Sequence, residues 1–242
     1  MKLEGLSLFF PCHNEAANVE GLLGDALRIA PQIASPYEVI IVDDGSTDAT
    51  ADIALRVGRT AQGVRLVRHP QRQGYGMAIR SGLLAARYPW IFFSDGDRQF
   101  DLEELRRFVE KTKDADIVAG YRAKRADAWH RRMNARIFGC ALKLAFGLEV
   151  PDVNCAFKIF RRELFDHLEL ESSGAMINAE ILTKARRLGY TIATMEVTHR
   201  PRTTGRQSGA QVRVVTKAII EFISLWRKHH QPNDANKKHE AA

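Results

Sequence analysis

Three short polar clusters follow directly on apolar, β-rich runs: Pro11-Cys12-His13-Asn14-Glu15, Asp43-Asp44-Gly45-Ser46 and Asp95-Gly96-Asp97-Arg98-Gln99. In an open α/β sheet ligands bind beyond the carboxyl ends of the strands, so acidic residues placed there can do chemistry as well as close turns. The third cluster carries the most information. Two carboxylates separated by a glycine, on a tight turn after a buried strand, offer the hard oxygen atoms that suit Mg²⁺ or Mn²⁺, ions usually shared with a substrate's phosphates. A lone Asp-Gly-Asp is more often only a turn, so its meaning depends on what the chain places around it.

Positioning these clusters requires strands, and the segment before Tyr121 alternates β-rich runs with helical patterns, the signature of βα units. Leu6 to Phe10 reads as a strand, followed by a helix with the apolar face Val19, Leu22, Leu23, Ala26 and Leu27, Asn14 as its N-cap and Pro31 as its stop. Glu38 to Val42, Val64 to Arg68 and Trp90 to Ser94 read as further strands, the last buried on both faces. A helix bearing Leu102, Leu105, Phe108 and Val109 and a strand at Asp116 to Gly120 follow. Beyond Tyr121 come a helix with Met133, Ile137, Phe138, Cys140, Leu142 and Leu144, a strand at Cys155 to Phe160, a helix around Glu180 to Leu188 and a strand at Thr191 to Val197. Val212, Val215, Ile219, Phe222 and Trp226 then form a heptad-like stripe. Residues after His229 are polar and read as a frayed tail.

With 45% hydrophobic and 27% charged residues, the 242-residue chain has an ordinary globular composition, which argues against disorder, collagen-like repeats or a coiled coil as the main structure. The longest uncharged run, Gly5 to Asn14, is ten residues, against roughly 20 for a membrane-spanning helix. The apolar run before Pro11 is too brief for a secretory signal, so a cytoplasmic location is expected. Cys12, Cys140 and Cys155 lack metal-ligand spacing and are odd in number, implying neither a disulfide framework nor a zinc site. The net charge of +7 is uneven: seven basic residues and one acidic residue, Asp127, lie between Arg122 and Lys143. Such a field attracts nucleic acid, anionic lipid head groups or phosphorylated small molecules. Zinc-finger and RNP signatures are missing, so no nucleic acid partner is expected.

The stretches FFPCHNEAANVEGLL, EVIIVDDGSTDAT, GYGMAIRSGLLAA, FFSDGDRQFD and DVNCAFKIFRRELF, in this order and spacing, resemble family 2 glycosyltransferases, and more closely the dolichyl- or polyprenyl-phosphate hexosyltransferases. The resemblance implies a GT-A fold, a Rossmann-like, mostly parallel sheet flanked by helices, over residues 1–210. An amphipathic helix at 211–228 and a polar tail at 229–242 would follow. It further implies a nucleotide-sugar donor, Mg²⁺ or Mn²⁺ and inversion at the anomeric carbon. Pro11, His13 and Glu15 match donor-nucleotide contacts, although tyrosine is usual where His13 stands. Asp44 matches the carboxylate that reads base or ribose, whereas Asp43 fits an Asx-turn at least as well. Asp95 and Asp97 match the metal and diphosphate site, with Gln99 as accessory ligand. Arg122 matches a phosphate-binding arginine, and Arg131 and Arg132 match a basic pair that cradles diphosphate or acceptor phosphate. Each arginine has a solvated basic face as its alternative. Arg202 resembles a cation that closes over the donor, and Arg206 stands near where relatives carry a lysine. Glu180 aligns with an acidic position behind the acceptor pocket, but a carboxylate early in a helix also has a purely structural use. Gly74 and Gly76 are expected to let the backbone approach the nucleotide.

The implied reaction is displacement at the anomeric carbon, with leaving-group charge stabilised by the metal and arginines. A lipid-phosphate acceptor is already ionised and needs no strong base, whereas a hydroxyl acceptor needs a carboxylate to take its proton. GDP-mannose and UDP-glucose are the leading donors. The basic stretch and the amphipathic segments 133–148 and 212–228 would let the protein attach to the inner face of an anionic membrane. The same stripes would arise if they packed onto the sheet or formed the seam of a homo-oligomer. A soluble or saccharide hydroxyl acceptor, and a non-catalytic nucleotide-sugar-binding subunit, are the competing readings.

Overall fold

The computed structural model describes residues 1–123, 129–202 and 212–230. The chain runs β1 (Leu6–Cys12), α1 (Ala16–Ile33), β2 (Tyr37–Asp43), α2 (Thr50–Thr60), β3 (Val64–Arg68), α3 (Tyr75–Ala85) and β4 (Trp90–Ser94). A 3₁₀ turn then leads into α4 (Leu105–Lys111) and β5 (Ile117–Tyr121), followed by α5 (Trp129–Phe146), β6 (Phe157–Arg161), α6 (Ile177–Arg187), β7 (Ile192–Glu196) and α7 (Val212–His230). The seven strands form one sheet in the order β3-β2-β1-β4-β6-β5-β7. Among the described strands, β6 alone is antiparallel to its neighbours. The carboxyl ends of β1, β2, β4 and β5 therefore open on one edge, the same edge at which the chain enters β6.

Aromatic layers make the core. On one face Phe93 stacks on Phe9 at 5.4 Å and on Phe160 at 6.0 Å between ring centroids. On the other, Phe157 meets Phe92 and Phe108 edge to face, each at 4.8 Å. These rings are fully buried, which is why β4 reads as a continuous apolar run rather than an alternation. α3 lies so close to the sheet that a Cβ on Gly82 would stand 2.2 Å from the Phe9 ring.

Most strand ends shift by one or two residues, and both signals expected to bound α1 fail. Asn14 does not cap α1: it adopts φ +57, and Glu15 stands at the cap position without a side-chain capping bond. Pro31 does not stop the helix, which continues to Ile33 and closes with Ala34 N–H donating to Ala30 O at 3.0 Å. A proline so near the end removes one bond in a turn that is about to finish, a smaller loss than in a helix interior. Pro11 lies within β1, beyond its last residue paired with β4, the edge-like position a strand proline tolerates.

α7 is docked through one side. Phe222 packs on Phe146 with centroids 5.4 Å apart, Leu225 is buried, and Glu221 Oε1 accepts from the backbone N–H groups of Ser173 and Gly174, both at 3.0 Å. Residues 231–242, the bulk of the expected tail, lie outside the described residues.

Candidate active site

At the strand-end edge the first two clusters are laced together. His13 Nδ1 donates to Asp44 O at 2.9 Å, Asn14 N–H donates to Ser46 Oγ at 2.9 Å, and Glu15 N–H donates to Thr50 Oγ1 at 2.9 Å. Asp43 Oδ1 accepts from Ser46 N–H at 3.1 Å, a local turn-closing bond that reaches three residues on rather than the two of the expected Asx-turn. Asp44 is buried, and both its oxygens are engaged: His69 Nδ1 at 2.8 Å, Gln73 N–H at 2.7 Å and Gly74 N–H at 2.9 Å. Burial opposes ionisation of Asp44, but these bonds outweigh it and hold the carboxyl below its usual range. Asp44 thus anchors the loop that leads into α3.

The Asp95-Gly96-Asp97 turn sits against β1, where a Cβ on Gly96 would come within 2.4 Å of Cys12 Sγ. Only glycine allows that approach. It brings Asp97 to Arg202, whose guanidinium lies 3.4 Å from Asp97 Oδ2 and also bonds Glu15. Glu15, Asp97 and Arg202, far apart in sequence, thereby meet in one cluster. Gln99 is buried, and its amide nitrogen donates to Arg200 O at 2.8 Å, so any ligand role falls to its Oε1. Burial, reinforced by the Asp97 carboxylate, pushes Asp95 up to about 7, and burial raises Asp97 too. Burial outweighs the nearby Arg122 and Lys158 charges at Asp95 and the Arg202 charge at Asp97, a penalty that a hard divalent cation would relieve. Among the described residues no group of three or more His, Cys, Asp or Glu side chains is arranged to hold a metal, so a cation here would draw its other ligands from a bound diphosphate and water. Burial pushes the Cys12 thiol well up, and lifts Cys155 to about 12, which removes thiolate chemistry from the site.

Arg122 leaves β5 at the same edge and forms a bidentate pair with Asp152, Nε to Oδ2 at 2.7 Å and Nη2 to Oδ1 at 3.1 Å. Beside it is a cavity of about 130 Å³ whose walls include Phe138, Pro151 and Val153. Arg131 and Arg132 fall on the first turns of α5, with side chains outside the described set, and Arg206 lies outside the described residues. Glu180 is buried and accepts from Lys184 Nζ at 2.7 Å, Ser172 N–H at 2.8 Å and Glu171 N–H at 2.9 Å. Gly74 and Gly76 approach a backbone, but it is that of 173–174: a Cβ on Gly76 would lie 2.5 Å from Ser173 C.

Four residues of the site are not singled out by the sequence reading: Tyr75, Asp152, Asn178 and Lys158. Burial first, and then the nearby Asp95 carboxylate, push the Tyr75 phenol well above its usual range, so it keeps its proton beside that carboxylate. One signal was available, since Lys158 is the sole charge in the apolar run Cys155 to Phe160, and a lysine in a strand buried on both faces needs an explanation.

A family model described as glycosyl transferase family 2 matches residues 7–169. An uncharacterised glycosyltransferase of Mycobacterium bovis is 29% identical over 230 residues, 93% of this chain and 97% of that protein. The undecaprenyl-phosphate 4-deoxy-4-formamido-L-arabinose transferase of Aeromonas hydrophila is 30% identical over 164 residues, 66% of this chain and 50% of that protein. Among solved structures, glucosyl-3-phosphoglycerate synthase from Mycobacterium tuberculosis in complex with Mg²⁺ and UDP superposes with a TM-score of 0.73 at 22% identity, covering 92% of this chain and 79% of that one. That likeness is one of fold, and it is the GT-A fold.

Proposed function

The chain belongs to glycosyl transferase family 2, and from that premise we propose that it transfers a hexose, with inversion, from a nucleotide-sugar donor to a polyprenyl phosphate. Donor binding falls to the strand-end edge. Pro11, His13 and Glu15 line one side, Asp95 and Asp97 would hold Mg²⁺ or Mn²⁺, and Arg202 would exchange its carboxylate partners for diphosphate. The bound cation would supply countercharge to the departing nucleoside diphosphate. UDP with Mg²⁺ or Mn²⁺ in the structural neighbours supports this donor chemistry.

One observation carries the acceptor: Arg122 borders a cavity whose walls include Phe138 of α5 with Pro151 and Val153, and α5 and α7 leave apolar residues uncovered. Met133, Ile137, Leu144, Ile219, Ile220, Ile223 and Trp226 stand exposed on these two helices, beside Arg136, Lys143, Lys217 and Arg227. A guanidinium beside a partly apolar cavity, on a molecule with exposed apolar helix residues, fits a phosphate joined to an isoprenoid chain. The phosphate oxygen is ionised near neutral pH, so the acceptor needs no general base, in keeping with Asp95 and Asp97 being committed elsewhere. The name of the Aeromonas relative points to the same acceptor class. A second reading, a small phosphorylated acid as acceptor, is favoured by the synthase that shares the fold.

The test is transfer of radiolabelled hexose from GDP-mannose and UDP-glucose to a short-chain polyprenyl phosphate and, in parallel, to 3-phosphoglycerate. Product is expected on the lipid only. Product on the acid alone would overturn the lipid reading. No helix among the described residues is long and apolar enough to cross a membrane, and the exposed apolar and basic side chains of α5 and α7 are the proposed means of surface attachment. Each lysine or arginine near an anionic surface contributes about 1 kcal/mol. Sedimentation with phosphatidylserine liposomes is therefore expected at low salt, with release at high salt. A protein that stays in the supernatant at low salt would refute the attachment.

A further inference from the structure

Arg98 stands between Asp97 and Gln99, two of the expected cation ligands, and the proposed reaction gives it no role. It adopts φ +57, a left-handed conformation that a residue with a Cβ enters only at a cost. The reversal has two results. Gln99 N–H folds back to donate to Asp97 Oδ1 at 3.2 Å, and both flanking side chains are withdrawn from solvent, Asp97 with 11% of its side chain exposed and Gln99 buried. The Arg98 side chain runs outward instead, onto α1.

There the helix carries no side chain to obstruct it: a Cβ on Gly21 would stand 2.3 Å from Arg98 Nη1 and 2.7 Å from Cζ. One helical turn on, Asp25 Oδ2 accepts from Arg98 Nη2 at 2.8 Å, and residues four apart share a helix face, so seat and partner lie side by side. Asp25 also pairs with Arg28 at 3.5 Å. Arg28 in turn bonds Glu103, in the 3₁₀ turn just beyond Gln99. The loop bearing Asp97 and Gln99 is thus pinned to α1 on both sides, and α1 is itself fixed on the sheet through Leu22, Leu23 and Ala26. Contacts of this kind are what hold a residue in a conformation its own backbone disfavours.

We propose that Arg98 is a positioning residue for the cation site: seated on Gly21 and paired with Asp25, it holds the left-handed turn that orients Asp97 and Gln99 toward the cation they would share with Asp95. This rests on the reading of Asp95 and Asp97 as the cation site.

Two glycines of α1 make the test. Gly21 lies under the guanidinium, whereas a Cβ on Gly24 would meet nothing within 4 Å. Alanine at either position favours the helix. The melting temperature is therefore expected to rise by about 2–4 °C in Gly24→Ala and not to fall in Gly21→Ala, where the helix gain offsets the displaced ion pair. Calorimetric titration of Mn²⁺, with UDP and separately with GDP present, is expected to find Gly24→Ala unchanged. Gly21→Ala is expected to bind about 5-fold more weakly, the upper end for a partly exposed ion pair. Weaker binding without a lower melting temperature separates positioning from loss of fold. Arg98→Gly leaves the left-handed turn accessible and removes a positive charge, which by itself favours a cation; it is nevertheless expected to bind more weakly than the wild type. The double variant of Gly21→Ala and Arg98→Gly is expected to be no weaker than the weaker single, since both cut one tether. If the wild type binds Mn²⁺ and either Gly21→Ala or Arg98→Gly binds it equally well, the positioning role is overturned while the cation site stands. An equal loss in Gly24→Ala, or losses that add in the double variant, overturn the tether. A wild type that binds no Mn²⁺ with either nucleotide overturns the reading of the carboxylate pair, and this inference with it.

Discussion

Asp97→Asn is expected to lower turnover by about 10³-fold, or roughly 4 kcal/mol of transition-state stabilisation, the upper range for losing one electrostatic contact to a developing charge. The substitution is isosteric and retains the oxygen that accepts from Gln99 N–H at 3.2 Å. What it removes is one of two neighbouring, desolvated carboxylates. The protein should consequently melt at the same temperature as the wild type or slightly higher, because one buried charge no longer has to be kept from water. A steady-state assay with Mg²⁺ alongside a thermal melt checks both halves. A variant that turns over at the wild-type rate would remove Asp97 from the cation site. A variant that fails to melt cooperatively would instead make the turn structural.

Glu180→Ala is expected to cost about 3 kcal/mol of stability, the lower end for breaking a buried, hydrogen-bonded ion pair from one side. The Glu180 side chain is 2% exposed and Lys184 23%, so little water is available to replace the lost partner. At roughly 2–4 °C per kcal/mol for a chain of this size, the melting temperature should fall by about 6–12 °C. The pH dependence has a definite sign. Burial opposes ionisation of Glu180, yet the bonds from Lys184, Ser172 and Glu171 prevail and depress its folded-state value below the ordinary one. Its contribution is therefore present above the ordinary glutamate range and lost as pH falls through the depressed value. Wild type and variant should thus converge in stability in strong acid. An unchanged melting temperature with a raised KM for acceptor would show instead that Glu180 meets the substrate, as the family resemblance implies.

How much of this was legible beforehand depends on the range of the forces involved. β3 and β4 begin and end where the sequence pattern places them, because alternating or continuous apolar runs bounded by turn residues are local signals. The same holds for the acidic clusters at strand ends: topology alone puts them on one edge once the βα order is known. Asn14 and Pro31 misled because cap and stop residues act through single hydrogen bonds, and the packing of Leu22, Leu23, Ala26, Ile29 and Ile33 against the sheet outweighs them. The antiparallel entry of β6 between β4 and β5 carries no local mark, and it is this entry that brings Asp152 to Arg122.

From the sequence alone came the alternation of strands and helices, the Asp-Gly-Asp turn and a match to the family's motifs, all properties of residues close together in the chain. Only the tertiary structure decided which atoms those residues have left for a ligand. Asp44 and Glu180 turn out to be hydrogen-bonded to loops 29 and 8 residues away, and Asp97 to an arginine 105 residues away. Lys158 becomes intelligible only when three strands and α6 close around it. A buried charge is tolerated when partners from several elements converge on it, and that convergence exists only in the assembled fold.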